Sequence, residues 1–226
     1  LFFMYLGALK VLGLNNEREI QLKKHTDELY NIYEYWNEML NLSDLEENQK
    51  AFVEACRDGK MTCLFNQSTY LIIERLINFH EYDLAKLYVT KHEKADEKGF
   101  RIKKYKAIIL QGKENDVEAL KWYREAFEDN STDKFVIDSL ITLSLVNKRK
   151  VNKEVLDAAI KADTSRLHML VAACYLNDGD ISRAKNENIR AILMSRERYN
   201  PAFGQYIAIS TSIHSNELIT ITGIEA

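Results

Sequence analysis

Residues 107–130 read AIILQGKENDVEALKWYREAFEDN, and residues 171–194 read VAACYLNDGDISRAKNENIRAILM. Each is a pair of helix-length runs around a short polar joint, Gly112-Lys113-Glu114 in one and Asn177-Asp178-Gly179-Asp180 in the other. Alanines stand at matching places. Ala119 and Ala184 are 65 residues apart, as are Ala126 and Ala191, with Ala158 or Ala159 near the midpoint. Ala85 lies 34 residues before Ala119. A helix–turn–helix unit repeating about every 34 residues accounts for both spacings. The alanines have a packing reason: where paired helices cross closely, a larger side chain pushes the backbones apart.

Outward from these two stretches the same texture continues. The pattern predicts paired helices over 68–79 with 82–95, 100–111 with 116–129, 132–146 with 152–162, and 165–177 with 181–196. The other joints are His80-Glu81 and Asn147 to Lys150. Asn115 with Glu118 has capping-box form, and Pro201 is placed to open a further helix.

These units resemble tetratricopeptide repeats. In the clearest, Ala107 takes the first small position, Leu110 follows, and Ala119, Tyr123 and Ala126 follow in the second helix. In the next clearest, Ala172, Tyr175, the Gly179-Asp180 turn, Ala184 and Ala191 match. The first unit keeps Leu76, Tyr82 and Ala85 but has Ile73 where the family has a small residue. The third departs most, with Val151 or Asn152 near the small second-helix position. The fourth has Asn188 where the family has an aromatic. The resemblance covers residues 68–200 and implies an all-α fold, a right-handed α-solenoid of antiparallel helix pairs.

It also implies that the first helix of each pair lines a concave groove that holds a peptide or partner helix. The residues carried there are Tyr70, Glu74 and Asn78 from the first unit. Arg101, Lys104, Ile108 and Gln111 come from the second, and Arg166, Met169, Ala173 and Asn177 from the fourth. Lys134 and Ile137 are the third unit's candidates. Arg101, Lys104 and Arg166 give this lining a basic lean, which favours an acidic or carboxylate-bearing partner.

Ahead of the repeats, residues 1–60 read as an N-terminal helical segment packed on them. The apolar start LFFMYLGALKVLGL is too short to cross a bilayer and contains Lys10, so it reads as a buried helix. No basic region precedes it, which argues against a signal peptide. From Glu17 to Leu42 nothing breaks a helix, and Ile20, Leu29, Ile32, Tyr33, Trp36, Met39 and Leu40 recur at helical spacing. Ser43 with Glu46 has capping-box form and opens a helix that Gly59 ends. Residues 201–226 read as a capping helix and tail, in which Ile219 to Thr222 have strand character. An apolar stripe on the first helix (Leu1, Phe2, Phe3, Tyr5, Leu6) offers a surface for homo-oligomers.

Composition narrows the function classes. The 226 residues are 46% hydrophobic and 29% charged, an ordinary globular balance, with a single proline and eight glycines. So little turn punctuation disfavours sandwiches and barrels. A net charge of −3 is not that of a dedicated nucleic-acid binder. The basic run KGFRIKKYK at 98–106 and Lys148-Arg149-Lys150 are flanked by acids and read as solvated surface. The Asn41, Asn66 and Asn130 glycosylation strings read as coincidence. Cys56, Cys63 and Cys174 form no disulfide framework, which favours a reducing, cytoplasmic setting. The sequence holds no phosphate loop, nucleophile elbow or HExxH, and the five histidines are scattered. The expectation is a non-catalytic protein or peptide interaction module without cofactor or metal, a nearby His80, His92, Glu81 and Asp83 grouping notwithstanding. It has no membrane or nucleic-acid partner. Two other readings stay open. One is a helical region of a larger enzyme, such as a glycosyltransferase or signalling NTPase, which the missing initiator Met favours. The other is a peptide-sensing regulator.

Overall fold

The computed structural model describes residues 1–42, 46–57, 61–62, 68–93 and 99–195. Among them the only regular elements are thirteen helices. In the first part of the chain these are α1 (Phe2–Val11), α2 (Asn15–Lys24), α3 (Thr26–Leu29), α4 (Tyr33–Leu42), α5 (Glu46–Arg57), α6 (Ser68–Asn78), α7 (Tyr82–Glu93) and α8 (Phe100–Gly112). Then come α9 (Asp116–Asp129), α10 (Lys134–Val146), α11 (Lys153–Ala162), α12 (Ser165–Asn177) and α13 (Ile181–Met194). The chain divides into two compact units, Leu1–Asn115 and the residues from Asp116 onward.

The repeat is written in the backbone as well as in the alanines. His80, Glu114, Lys148 and Gly179 all have positive φ, at steps of 34, 34 and 31 residues. Each follows the first helix of a pair and closes it with the same two bonds. The next residue's N–H donates to the carbonyl five back: Glu81 to Leu76, Asn115 to Leu110, Arg149 to Ser144 and Asp180 to Tyr175, at 2.8–2.9 Å. The left-handed residue itself donates to the carbonyl three back, as His80 does to Ile77 and Gly179 to Leu176. This is the Schellman termination, which needs one left-handed residue and satisfies carbonyls the helix end leaves open. Steps of 34 and 31 sum to the 65-residue alanine spacing.

Five residues after the left-handed residue, Ala85, Ala119 and Ala184 are wholly buried. Ala107, Ala126, Ala159, Ala172 and Ala191 are wholly buried too. Within each unit first helices also lie side by side, α4 with α6, α6 with α8, and α10 with α12. The joints are keyed together by polar bonds. Lys113 pairs with Asp83, the Asn147 amide donates to Asp116 at 3.0 Å, and Lys150 reaches Asp178 at 4.0 Å. In each case a residue just ahead of one left-handed position meets a residue two or three past the preceding one.

Three expectations need correction. Residues 17–42 are not one helix. The chain leaves helical geometry at His25 and again at Tyr30–Ile32, where Ile32 bridges in parallel to Thr62. Thr62 donates from its N–H to Asn31 at 2.8 Å and accepts from Tyr33 at 2.9 Å, and the Trp36 indole donates to the Tyr30 carbonyl at 2.7 Å. These long-range partners outbid a continuous ladder that the local sequence permits. Ile20 consequently faces solvent, while Tyr33, Trp36, Met39 and Leu40 join the core. The first helix is only half buried. Leu6 and Leu9 are inside, whereas Leu1, Met4, Tyr5 and Val11 are exposed. In the third pair, neither Val151 nor Asn152 is in the second helix. Val151 is buried in the joint and Asn152 stands before α11, which starts at Lys153.

The third joint spans residues 147–152, three more than 79–81, 113–115 or 178–180. At Asn188 the missing aromatic has a cost: the side chain is wholly buried, and among the described residues neither amide atom has a hydrogen-bond partner. Ser43, Gly59, Cys63, Lys98, Pro201 and the rest of 201–226 lie outside the described residues.

Candidate functional site

In the unit Leu1–Asn115 the first-helix surface is built by α4, α6 and α8. Arg75 of α6 donates to Asn41 at 3.1 Å and to Asn37 at 3.5 Å on α4. On the other side, the Tyr105 hydroxyl of α8 donates to Glu74 of α6 at 2.5 Å. Burial, and then that bond to Glu74, raise the Tyr105 phenol above its ordinary range, so it stays a donor. The Arg101 guanidinium lies 5.0 Å over the Tyr70 ring, and His92 meets the same ring edge-on at 4.6 Å. Lys104 lies 5.8 Å over Phe100. An exposed guanidinium on an aromatic face keeps its N–H groups for another partner while its position is restrained.

The structure therefore brings Tyr70, Glu74 and Arg101 into one cluster with Tyr105. Asn78 is exposed, and Lys104, Ile108 and Gln111 are half-buried on the same pair of helices. In the unit from Asp116 onward, Arg166 of α12 binds Asp138 of α10, with one of the two bonds at 3.0 Å. The hydrogen bond to Asp138 holds the Arg166 guanidinium above its already high ordinary value. Met169 and Ala173 are half-buried, and Lys134 and Asn177 are exposed. Ile137 is wholly buried and takes no part in any surface, because it lies on the inward side of α10 with Val136, Leu140 and Ile141.

Counting from the left-handed residues aligns the two units. Arg101 and Arg166 each stand thirteen residues before one, and Tyr70 and Asp138 ten before the preceding one. The same contact thus recurs: a guanidinium of one first helix rests on the residue of the previous first helix at a fixed register. Asp138 is not among the residues expected at this surface, and His92 is noted only beside His80, Glu81 and Asp83. Asp138 was findable by that count, whereas His92 comes from a second helix and needs the tertiary contact.

Among the described residues no three His, Cys, Asp or Glu side chains gather as metal ligands. His80 bonds instead to the Tyr82 hydroxyl at 2.9 Å. His168 is buried with Glu187 at 2.6 Å on Nδ1 and Asp163 at 3.0 Å on Nε2. Cys174, on the same helix, is buried, and burial pushes its thiol up to about 12. No described helix is long and apolar enough to cross a membrane.

No protein-family model matches the sequence, and no curated protein matches it. Solved structures do match. A tetratricopeptide repeat protein from Parabacteroides merdae superposes with a TM-score of 0.53 at 14% identity, covering 93% of this chain and 83% of that one. The anaphase-promoting-complex assembly Cut9–Hcn1 gives 0.56 at 11% identity, over 89% of this chain and 40% of that one. A thermophilic tetratricopeptide repeat protein of Thermus thermophilus gives 0.50 at 11% identity, over 78% and 95%. The fold is an all-α helical repeat of the tetratricopeptide type.

Proposed function

We propose that this tetratricopeptide-type array is a non-catalytic protein-interaction module whose first-helix surface binds an acidic segment of a partner protein. The observation that carries the reading is the recurring guanidinium. Arg101 and Arg166 occupy the same register, each steadied by the preceding first helix, by Tyr70 and by Asp138. Lys104 lies one turn from Arg101 and adds to the positive side. Tyr70, Glu74, Asn78, Ile108 and Gln111 in the first unit, and Met169 and Asn177 in the second, would supply polar and apolar contacts, each within its own unit. A carboxylate would bind Arg101 against the Tyr70 face in bidentate fashion and compete with Asp138 for Arg166.

The test compares two baits in affinity capture from native lysate, the parent and Arg101→Glu/Lys104→Glu/Arg166→Gln. Glutamine at 166 avoids setting an acid against Asp138. Circular dichroism must show both folded. Partners captured by the parent and lost from the variant support the reading. An identical partner set with both baits removes it.

Self-association through α1 belongs to the same reading of this chain as an assembly part. Phe2 and Phe3 pack against the core, so the diagnostic changes are at the exposed Met4 and Val11. Met4→Lys/Val11→Lys is expected to leave a monomer by light scattering where the parent is larger; equal masses exclude the contact.

A further inference from the structure

The six-residue joint at 147–152 starts α11 nearly one turn later than its counterparts. The place that Ala85, Ala119 and Ala184 fill in the other pairs falls here on exposed Lys153. The displaced turn leaves a cleft of about 80 Å³ beside α9 and α10. Its floor is Leu140, Val151 and Val155, each less than a tenth exposed. An apolar cavity of ~150 Å³ admits benzene. The floor here therefore holds roughly three or four carbons, the size of a valine or leucine side chain.

The rim is charged in a balanced way. Arg124 and Glu128 stand on α9, and Lys150 and Glu154 on the joint and the first turn of α11. Arg124, Glu128 and Glu154 form no ion pair or hydrogen bond with the described residues, and Lys150 reaches Asp178 only at 4.0 Å. Arg124 precedes Glu128 by four, the less favourable order for a helical ion pair, so these two are free to turn to a ligand. A ligand with one net charge meets as much repulsion as attraction at such a rim. A zwitterion finds a counter-charge for each end.

We propose that this cleft binds a free aliphatic α-amino acid of valine to leucine size. The side chain fills the floor. The carboxylate takes Arg124 and Lys150, and the ammonium takes Glu128 and Glu154. The site shares none of the residues proposed for the first-helix surface and stands or falls independently of it.

The experiment titrates the purified chain with L-leucine and L-valine and follows backbone amide resonances of Phe127, Val151 and Asn152. Saturable shifts confined to the cleft are expected, with at least tenfold weaker binding in Arg124→Glu and in Glu154→Lys, both surface changes. Ser144→Leu, which fills the floor from α10, is expected to abolish the shifts. N-acetyl-leucine amide, which keeps the side chain and lacks both charges, is expected not to bind. The Arg101, Lys104 and Arg166 variant should bind leucine like the parent. No saturable shift with either amino acid would overturn the proposal. So would equal binding of N-acetyl-leucine amide, which would make the cleft a notch for a partner's apolar side chain.

Discussion

Gly112 shows how tightly a single residue can be specified. A Cβ built there would lie 2.2 Å from the Tyr82 ring. That distance is far inside contact, so the half-buried ring, whose hydroxyl bonds the exposed His80, must shift to admit a methyl. Gly112→Ala is therefore expected to destabilise by about 1–3 kcal/mol, as overpacking does. Thermal melting checks it, and Tyr82→Leu should relieve most of the loss. Asn188 is the opposite case, a buried amide with no bond to the described residues. Asn188→Leu keeps the volume and removes the desolvated polar atoms, so a gain of about 1–3 kcal/mol is expected in urea unfolding. Cys174 reports on burial. With its thiol raised to about 12, it is fully protonated at pH 8 and lacks the thiolate that alkylation needs. Peptide mass spectrometry should find it unmodified by iodoacetamide in the native protein and modified after unfolding.

At the level of elements, the joints carry the argument. Three of the four closing residues are not glycine, yet all adopt left-handed geometry. Glu114→Gly removes the Cβ strain of that conformation and should stabilise by a few tenths up to about 1 kcal/mol, the looser unfolded chain offsetting part of the gain. Gly179→Ala has open space around it, so only the backbone strain counts, and a loss of about 1 kcal/mol is expected. Paired denaturation curves decide both signs. This period was legible beforehand as alanine spacing, because helix crossing leaves no room for anything larger. Helix limits were legible too: α9 and α12 span the residues that periodicity assigns them. The break of 17–42 into three helices was not. Nothing near Ile32 forbids a helix, and the bridge that stops one comes from Thr62, thirty residues away.

Across the whole molecule, burial is uneven within each unit, and that sets where the protein opens. Around α10, Val136, Ile137, Ser139, Leu140, Ile141, Leu143 and Ser144 are all buried. In α1 only Leu6 and Leu9 are. Amides open locally where few buried contacts oppose it. Hydrogen exchange read by mass spectrometry should therefore find α10 slowest in its unit and α1 faster than α6 in the other. Comparable protection of α1 and α6 would mean that another surface covers α1.

The sequence by itself determined the helix-pair period, the closely packed alanines and the class of fold, since each follows from spacing along one chain. It also placed Tyr70, Glu74, Arg101 and Arg166 on first helices. Only the tertiary structure decided what those side chains rest on: a tyrosine face under one guanidinium, a carboxylate under the other, and a phenol holding Glu74. It alone showed that the long third joint opens a cleft, because a cavity is the failure of two distant segments to meet, and no local pattern records what is missing between them.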